Sequence, residues 1–199
     1  MVLKLTVNGS TSTIESQMTL NIHQSPVAFA GEAAAICQGT ALELDASEAN
    51  NFSQLSWTTS GDGTFSDATM MHPIYTPGAT DLATGLATLT LTAEGNGGCA
   101  AVAHAIELTI NALPTATLSG DQTICEGQSA TLTFGLTGSA PSVITLADMD
   151  PVNALATPMI MELTPYSGST YTLVSVQDGN NCSNEASGQA VVTMNFAPL

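Results

Sequence analysis

One short phrase, written twice, limits what this chain can become. "ICQG" at 36–39 returns as "ICEG" at 124–127, so Cys37 and Cys125 stand 88 residues apart (125 less 37). Each phrase closes a proline-led segment, "SPVAFAGEAAAICQG" from Pro26 and "LPTATLSGDQTICEG" from Pro114. Each is followed, late in its unit, by a cysteine in a Gly/Asn-rich hairpin: "GNGGC" at Cys99 and "DGNNC" at Cys182. Each unit then ends on a threonine-rich strand. Self-similarity at a fixed period marks a repeat architecture, and 199 residues hold two such units. A unit of this size buries a thin core and commonly needs a covalent staple.

The repeat sets the expected boundaries. Residues 25–112 form the first domain and 113–197 the second, and 198–199, carrying Pro198, open a further repeat. Residues 1–24 read as the terminal hairpin of a preceding repeat. The reason is that "LKLTVNGSTSTIESQMTLNIHQSP" (3–26) parallels "LTLTAEGNGGCAAVAHAIELTINALP" (89–114), with two residues fewer in the turn. The chain is therefore expected to be a window on a longer tandem array, with short linkers near 24–26 and 112–114.

The periodicity is that of strands. "ALELDA" (41–46), "LATLTLTAEG" (86–95), "AIELTIN" (105–111), "SATLTF" (129–134), "YTLVSVQDG" (171–179) and "AVVTMNF" (190–196) alternate apolar and polar residues. Such alternation buries one face of a strand and wets the other. Turn clusters separate them: "SGDGT" (60–64), "TPGATD" (76–81), "EGNGG" (94–98) and "DGNN" (178–181). No stretch carries a helical stripe. Short strands between turns predict an all-β chain of β-sandwich domains.

The four cysteines fall in two pairs at equivalent places. Three pairings are formally open. The repeat points to one bridge within each domain, Cys37–Cys99 and Cys125–Cys182. Each would join the loop before the second strand to the hairpin before the last, and a loop of that length stabilises by roughly 4 kcal/mol in the chain-entropy model. Zinc is the alternative. However, the sequence has no CxxC, and His23, His72 and His104 are scattered. Disulfides imply an oxidising compartment, outside the cytoplasm.

Charge excludes several classes of partner. There are 17 acids against one base, Lys4, for a net charge of −16. Nucleic-acid binding draws on Lys and Arg that this chain lacks, and an anionic membrane surface would repel it. Such acidity keeps a protein soluble and invites cations. Asp62 and Asp67 in "SGDGTFSD", and Asp148 and Asp150 in "DMD", could offer oxygen ligands to calcium. None fits an EF-hand, and Asp-Gly also makes an ordinary turn. No other cofactor is expected. No run of about 18 apolar residues could span a membrane. The opening "MVLKLTVNGS" lacks the apolar stretch of a signal peptide, so Met1 reads as an added start or an internal cut.

Catalytic signatures are missing too. There is no GxSxG, HExxH, P-loop or Cys/His dyad, so no enzyme is expected. Trp57 falls in the third strand and reads as a core residue, and Tyr171 as a candidate for a tyrosine-corner hydrogen bond. The sequons at Asn8, Asn51 and Asn181 are cheap matches in an Asn/Ser/Thr-rich chain.

Longer words carry a resemblance. "WTTSGDGTF" (57–65), "YTPGATD" (75–81) and "TLTLTAEGNGGC" (88–99) resemble a PKD-like, immunoglobulin-like repeat that fills very large cell-surface proteins of Bacteroidetes. The second unit looks like a sister repeat type, and the likeness covers residues 26–196. Sister repeats often carry an aromatic after the "GSAP" turn, where this chain has Ser142, which implies a smaller core there. The resemblance implies proteins exported by type IX secretion, adhesin-like or gliding-type, with no catalytic residues in the repeats.

Three functional readings follow. The first is a non-catalytic spacer or filament segment whose partners are neighbouring repeats. The second is a binding module for glycans or proteins, using loops at the end away from the bridges. The third is a set of repeats accompanying a secreted hydrolase. The unpaired edges of the hairpin at 3–22 also invite self-assembly.

Overall fold

The computed structural model describes residues 1–8 and 10–196, so the expected opening of a further repeat at 198–199 lies outside the described residues. The chain divides into two compact units that are discontinuous in sequence. The first takes residues 1–34 and 41–109, and the second takes 35–40 and the chain from Ile110 on. The first sequence repeat thus lends residues 35–40 to the second unit.

Strands carry the first unit. It opens on a ribbon of β1 (Val2–Asn8) and β2 (Thr13–Thr19), paired antiparallel from Val2↔Thr19 to Asn8↔Thr13. β3 (Val27–Phe29) comes next, and β4 (Ala34–Cys37) follows as the chain passes into the second unit. The first unit resumes with β5 (Leu42–Glu43), β6 (Glu48–Asn50), β7 (Phe52–Thr59), β8 (Thr64–Phe65) and β9 (Ile74–Thr76). One helix, α1 (Ala79–Thr84), precedes the long strands β10 (Leu86–Gly95) and β11 (Val102–Asn111). With six residues, α1 is too short to show a helical stripe.

The larger sheet of this unit runs β11–β10–β7, antiparallel throughout; the smaller groups are β3–β6 and β5–β9–β8. Alternation in β10 does what the sequence predicts: Ala87, Leu89, Leu91 and Ala93 face inward and are buried. Enclosing Leu89 or Leu91 is worth roughly 2 kcal/mol each. Trp57 is buried as well, and its indole N–H donates to the Met70 carbonyl at 3.1 Å. Phe65 bridges Trp57 and Tyr75, with ring centroids 5.8 and 4.9 Å away.

The second unit is built from β12 (Ala116–Ser119), β13 (Gln122–Cys125), β14 (Ala130–Leu136), β15 (Ser142–Leu146), β16 (Val152–Ala154), β17 (Met159–Leu163), β18 (Ser169–Gln177) and β19 (Ser183–Asn195). Its sheets run β12–β14–β17 and β13–β19–β18–β15–β16. The first strand of the repeat splits between the sheets: β12 joins β14 antiparallel, and β13 joins β19 in parallel. Three strands on one sheet face a sheet centred on the last hairpin. That is the order of an immunoglobulin-like sandwich. Leu132, Phe134, Ile144, Leu146, Leu173 and Val176 fill the space between. Tyr171 packs on this cluster and on a smaller one of Ile124, Ala130, Val192 and Met194. Ser142 is buried beside a cavity of about 40 Å³ lined also by Leu136 and Ala154. The chain is all-β, a tandem of immunoglobulin-like domains.

Candidate functional site

The cysteines are the first place to look for chemistry. The structure bonds Cys37 to Cys182, and Cys99 and Cys125 are free. This corrects the expected pairs Cys37–Cys99 and Cys125–Cys182. The cause is the path of residues 35–40. They pack with the second unit, where the Gln38 N–H donates to the Asn111 carbonyl at 2.8 Å. That path brings the Cys37 Cα to 5.6 Å from that of Cys182, inside the range a disulfide can span. Cys99 belongs to the first unit. The bond therefore joins a cysteine of the first sequence repeat to one of the second.

The Cys182 end is held by a tight turn. Asp178 is buried; its Oδ1 accepts the N–H groups of Asn180 and Cys182, both at 3.0 Å, and its Oδ2 accepts that of Ser139 at 3.1 Å. Asn180 Nδ2 donates to Asn111 Oδ1 at 3.1 Å and to Ser139 Oγ at 2.9 Å. A buried carboxylate is retained here because it satisfies backbone donors that have no strand partner.

A second buried carboxylate organises the first unit. Asp81, in the first turn of α1, is buried. Its Oδ2 accepts the Tyr75 hydroxyl at 2.6 Å, the Gly78 N–H at 3.0 Å and the Gly63 N–H at 3.1 Å. Its Oδ1 is buried without a hydrogen-bond partner. A side chain at Gly61 or Gly63 would collide with this carboxylate, which is why the turn is written "SGDGT". Tyr75 pays for the company: burial first, and then its bond to Asp81, push its hydroxyl up to about 12. Sequence reasoning passed over Asp81, although "YTPGATD" holds it as the one charged side chain of its segment.

The candidate calcium ligands serve local turns. Asp62 Oδ1 accepts the Thr80 N–H at 2.9 Å and the Asp81 N–H at 3.4 Å. Desolvation works to raise this carboxyl, but the bonds from Thr80 and Asp81 outweigh it and hold it below its usual value. Asp67 Oδ1 accepts the Thr69 hydroxyl at 2.7 Å and N–H at 2.8 Å, and both hold that carboxyl low. Asp148 and Asp150 are exposed on an open groove at 148–153. The structure brings neither pair together with further ligands: among the described residues no three His, Cys, Asp or Glu side chains cluster as a metal site would need. His72 meets Ser47 at 3.3 Å, and His104 Nδ1 accepts the Ala30 N–H at 3.0 Å; both are tied into the fold. The Tyr171 hydroxyl has no hydrogen-bond partner among the described residues, so the corner bond expected of it is not made.

Comparisons with known proteins bear on the fold. No family model matches the chain. No curated protein matches it by sequence. Among solved structures it is similar to Rst D1-D2, at 15% identity and a TM-score of 0.51, over 86% of this chain and 100% of that one. An I-band fragment of titin gives 10% identity and 0.49 over 99% and 74%, and the insect immune protein hemolin 14% and 0.47 over 98% and 56%. At 15% identity the likeness to Rst D1-D2 is one of fold alone.

Proposed function

We propose that this chain is a non-catalytic structural segment of a cell-surface protein, a spacer made of immunoglobulin-like repeats. One observation carries the reading: Cys37 of the first sequence repeat is bonded to Cys182 of the second. The bond lies within the second unit and anchors there the segment 35–40 that the first sequence repeat contributes, as a scaffold of interleaved repeats requires. Closing a loop of 145 residues also removes much of the unfolded chain's freedom, about 5 kcal/mol in the chain-entropy model.

Other observations support the same reading. The two buried carboxylates are spent on backbone N–H groups and a tyrosine, which is what a scaffold needs and a catalytic site does not. A disulfide persists in an oxidising compartment, which supports a location outside the cytoplasm. A net charge of −16 keeps a long, densely repeated surface protein from associating with its copies. The resemblance to PKD-like repeats extends the proposal to large adhesin-like or gliding-type Bacteroidetes proteins exported by type IX secretion.

Redox proteomics on intact source cells tests this. A membrane-impermeant protease should release peptides of this chain, with Cys37 and Cys182 recovered as a disulfide. Recovery only from lysed cells, with both cysteines as free thiols, would overturn the reading.

A further inference from the structure

The paired strands of the ribbon β1–β2 are the counterpart of those of the hairpin β10–β11, with a turn two residues shorter. Leu3 faces Met18, Leu5 faces Ser16 and Val7 faces Ile14. In β10–β11, Leu89 faces Ile106, Leu91 faces His104 and Ala93 faces Val102. Those are the pairs obtained by laying residues 3–26 on 89–114, so the two hairpins share sequence pattern and register. Their surroundings are opposite. Leu89, Leu91, Ala93 and Leu108 are fully buried, and Ile106 is 6% exposed. Their counterparts Leu3, Leu5, Val7, Leu20 and Met18 are 42, 65, 56, 41 and 60% exposed.

Pleating puts Leu3, Leu5, Val7, Ile14 and Met18 on one face, since paired residues of an antiparallel ribbon share a side. The other face carries Lys4, Thr6, Glu15 and Gln17, with Lys4 Nζ 2.7 Å from Glu15. A two-stranded ribbon is marginal by itself in water, and a face this apolar asks to be covered. The equivalent face of β10–β11 is buried in a unit whose other elements come from residues 25–86: β7 extends the sheet beside β10, and β3 and α1 lie against β10.

We infer that β1–β2 is a docking surface for a β-sandwich body of this same repeat type, and that the ribbon completes that body as β10–β11 completes the first unit. A second copy of the chain is a poorer occupant, because its own body already holds its own β10–β11. Cys99 adds a second mark. It holds in the first repeat the place that Cys182 holds in the second, and Cys182 is bonded to the cysteine of the repeat before it. A body docked on β1–β2 would bring a counterpart of Cys37, and Cys99 is its expected partner.

The test adds a body to the full chain. Residues 25–86 are fused directly ahead of Met1, so that β1–β2 follows them as β10–β11 does in the first unit. Met18 oxidation by peroxide is then compared in the fusion and the parent chain, since exposed thioethers convert readily to sulfoxide. Protection of Met18 by tenfold or more in the fusion, lost again in the fusion carrying Leu5→Glu, is the expected result. In glutathione buffer the added Cys37 and Cys99 should bond, two protons and two electrons passing to glutathione disulfide, which leaves as two thiols. Met18 equally reactive in both proteins would overturn the inference, and so would an added body that stays unfolded ahead of an intact ribbon. Bonding of the added Cys37 to any cysteine but Cys99 would overturn it too. Concentration-dependent protection of Met18 in the parent alone would assign the face to a second copy instead. Each of these results leaves the cell-surface reading standing.

Discussion

The Tyr75 hydroxyl donates to Asp81 Oδ2 at 2.6 Å inside the first unit. The same oxygen accepts the Gly63 and Gly78 N–H groups, so one carboxylate holds β9, the "SGDGT" turn and the start of α1 together. Asp81→Ala would leave the half-buried Gly63 and Gly78 N–H groups without an acceptor and leave the buried Tyr75 hydroxyl with Thr59 as its remaining partner, at 2.8 Å. Stranding each N–H costs about 1–3 kcal/mol, so a loss of at least about 2 kcal/mol is expected, against roughly half that for Asp81→Asn. Guanidinium unfolding followed by the fluorescence of Trp57, which reports on this unit, gives both values. An alanine variant within about 0.5 kcal/mol of the parent would show the clasp to be idle.

Tyr75 makes the first unit sensitive to alkali. Its ordinary value is 10.0 and its folded value about 12, raised by burial and by Asp81. The folded state therefore holds the phenolic proton more tightly than the unfolded state does. That stability is complete below pH 10 and is lost as pH rises from 10 to 12. Melting temperature should fall across this window in the parent, and the fall should be shallower in Tyr75→Phe. Parallel pH profiles for the two proteins would remove Tyr75 as the cause.

Ser142 leaves room in the second unit. It is buried next to a cavity of about 40 Å³. Ser142→Val should fill part of this space and raise the second unit's stability by about 1 kcal/mol, seen as a higher calorimetric transition. Ser142→Trp exceeds the space and should cost about 1–3 kcal/mol. A valine variant that melts below the parent would mean that the Ser142 hydroxyl, not the void, decides the site.

Much of this fold was legible. The run "LATLTLTAEG" gives the buried row of β10 directly, and Trp57 lies where a sandwich core needs it. Legibility stopped where geometry between distant segments decides. The cysteine pattern repeats along the chain, so a bridge within a repeat and a bridge to the next repeat respect it equally. Sequence spacing cannot choose between them; the route of residues 35–40 does. Asp81 was hidden for a different reason. Aspartate is ordinarily a surface residue, and the glycine N–H groups that repay its burial come from turns 18 and 3 residues away. Asp62 and Asp67 read as possible cation ligands because their oxygens are counted in the sequence, while the N–H groups that occupy them are not.

Pulling on the two ends of a single oxidised chain tests the cross-repeat bridge, and with it the spacer account, most directly. A Cys37–Cys182 bond shields the 145-residue loop from the force. Only the other 54 residues (199 less 145) can extend, to about 19 nm at roughly 3.6 Å per residue. Adding a thiol reductant should release the loop and lengthen the chain to about 72 nm. An oxidised length near 29 nm, the value expected at roughly 3.6 Å per residue if Cys37 were bonded to Cys99 and Cys125 to Cys182, would contradict the account.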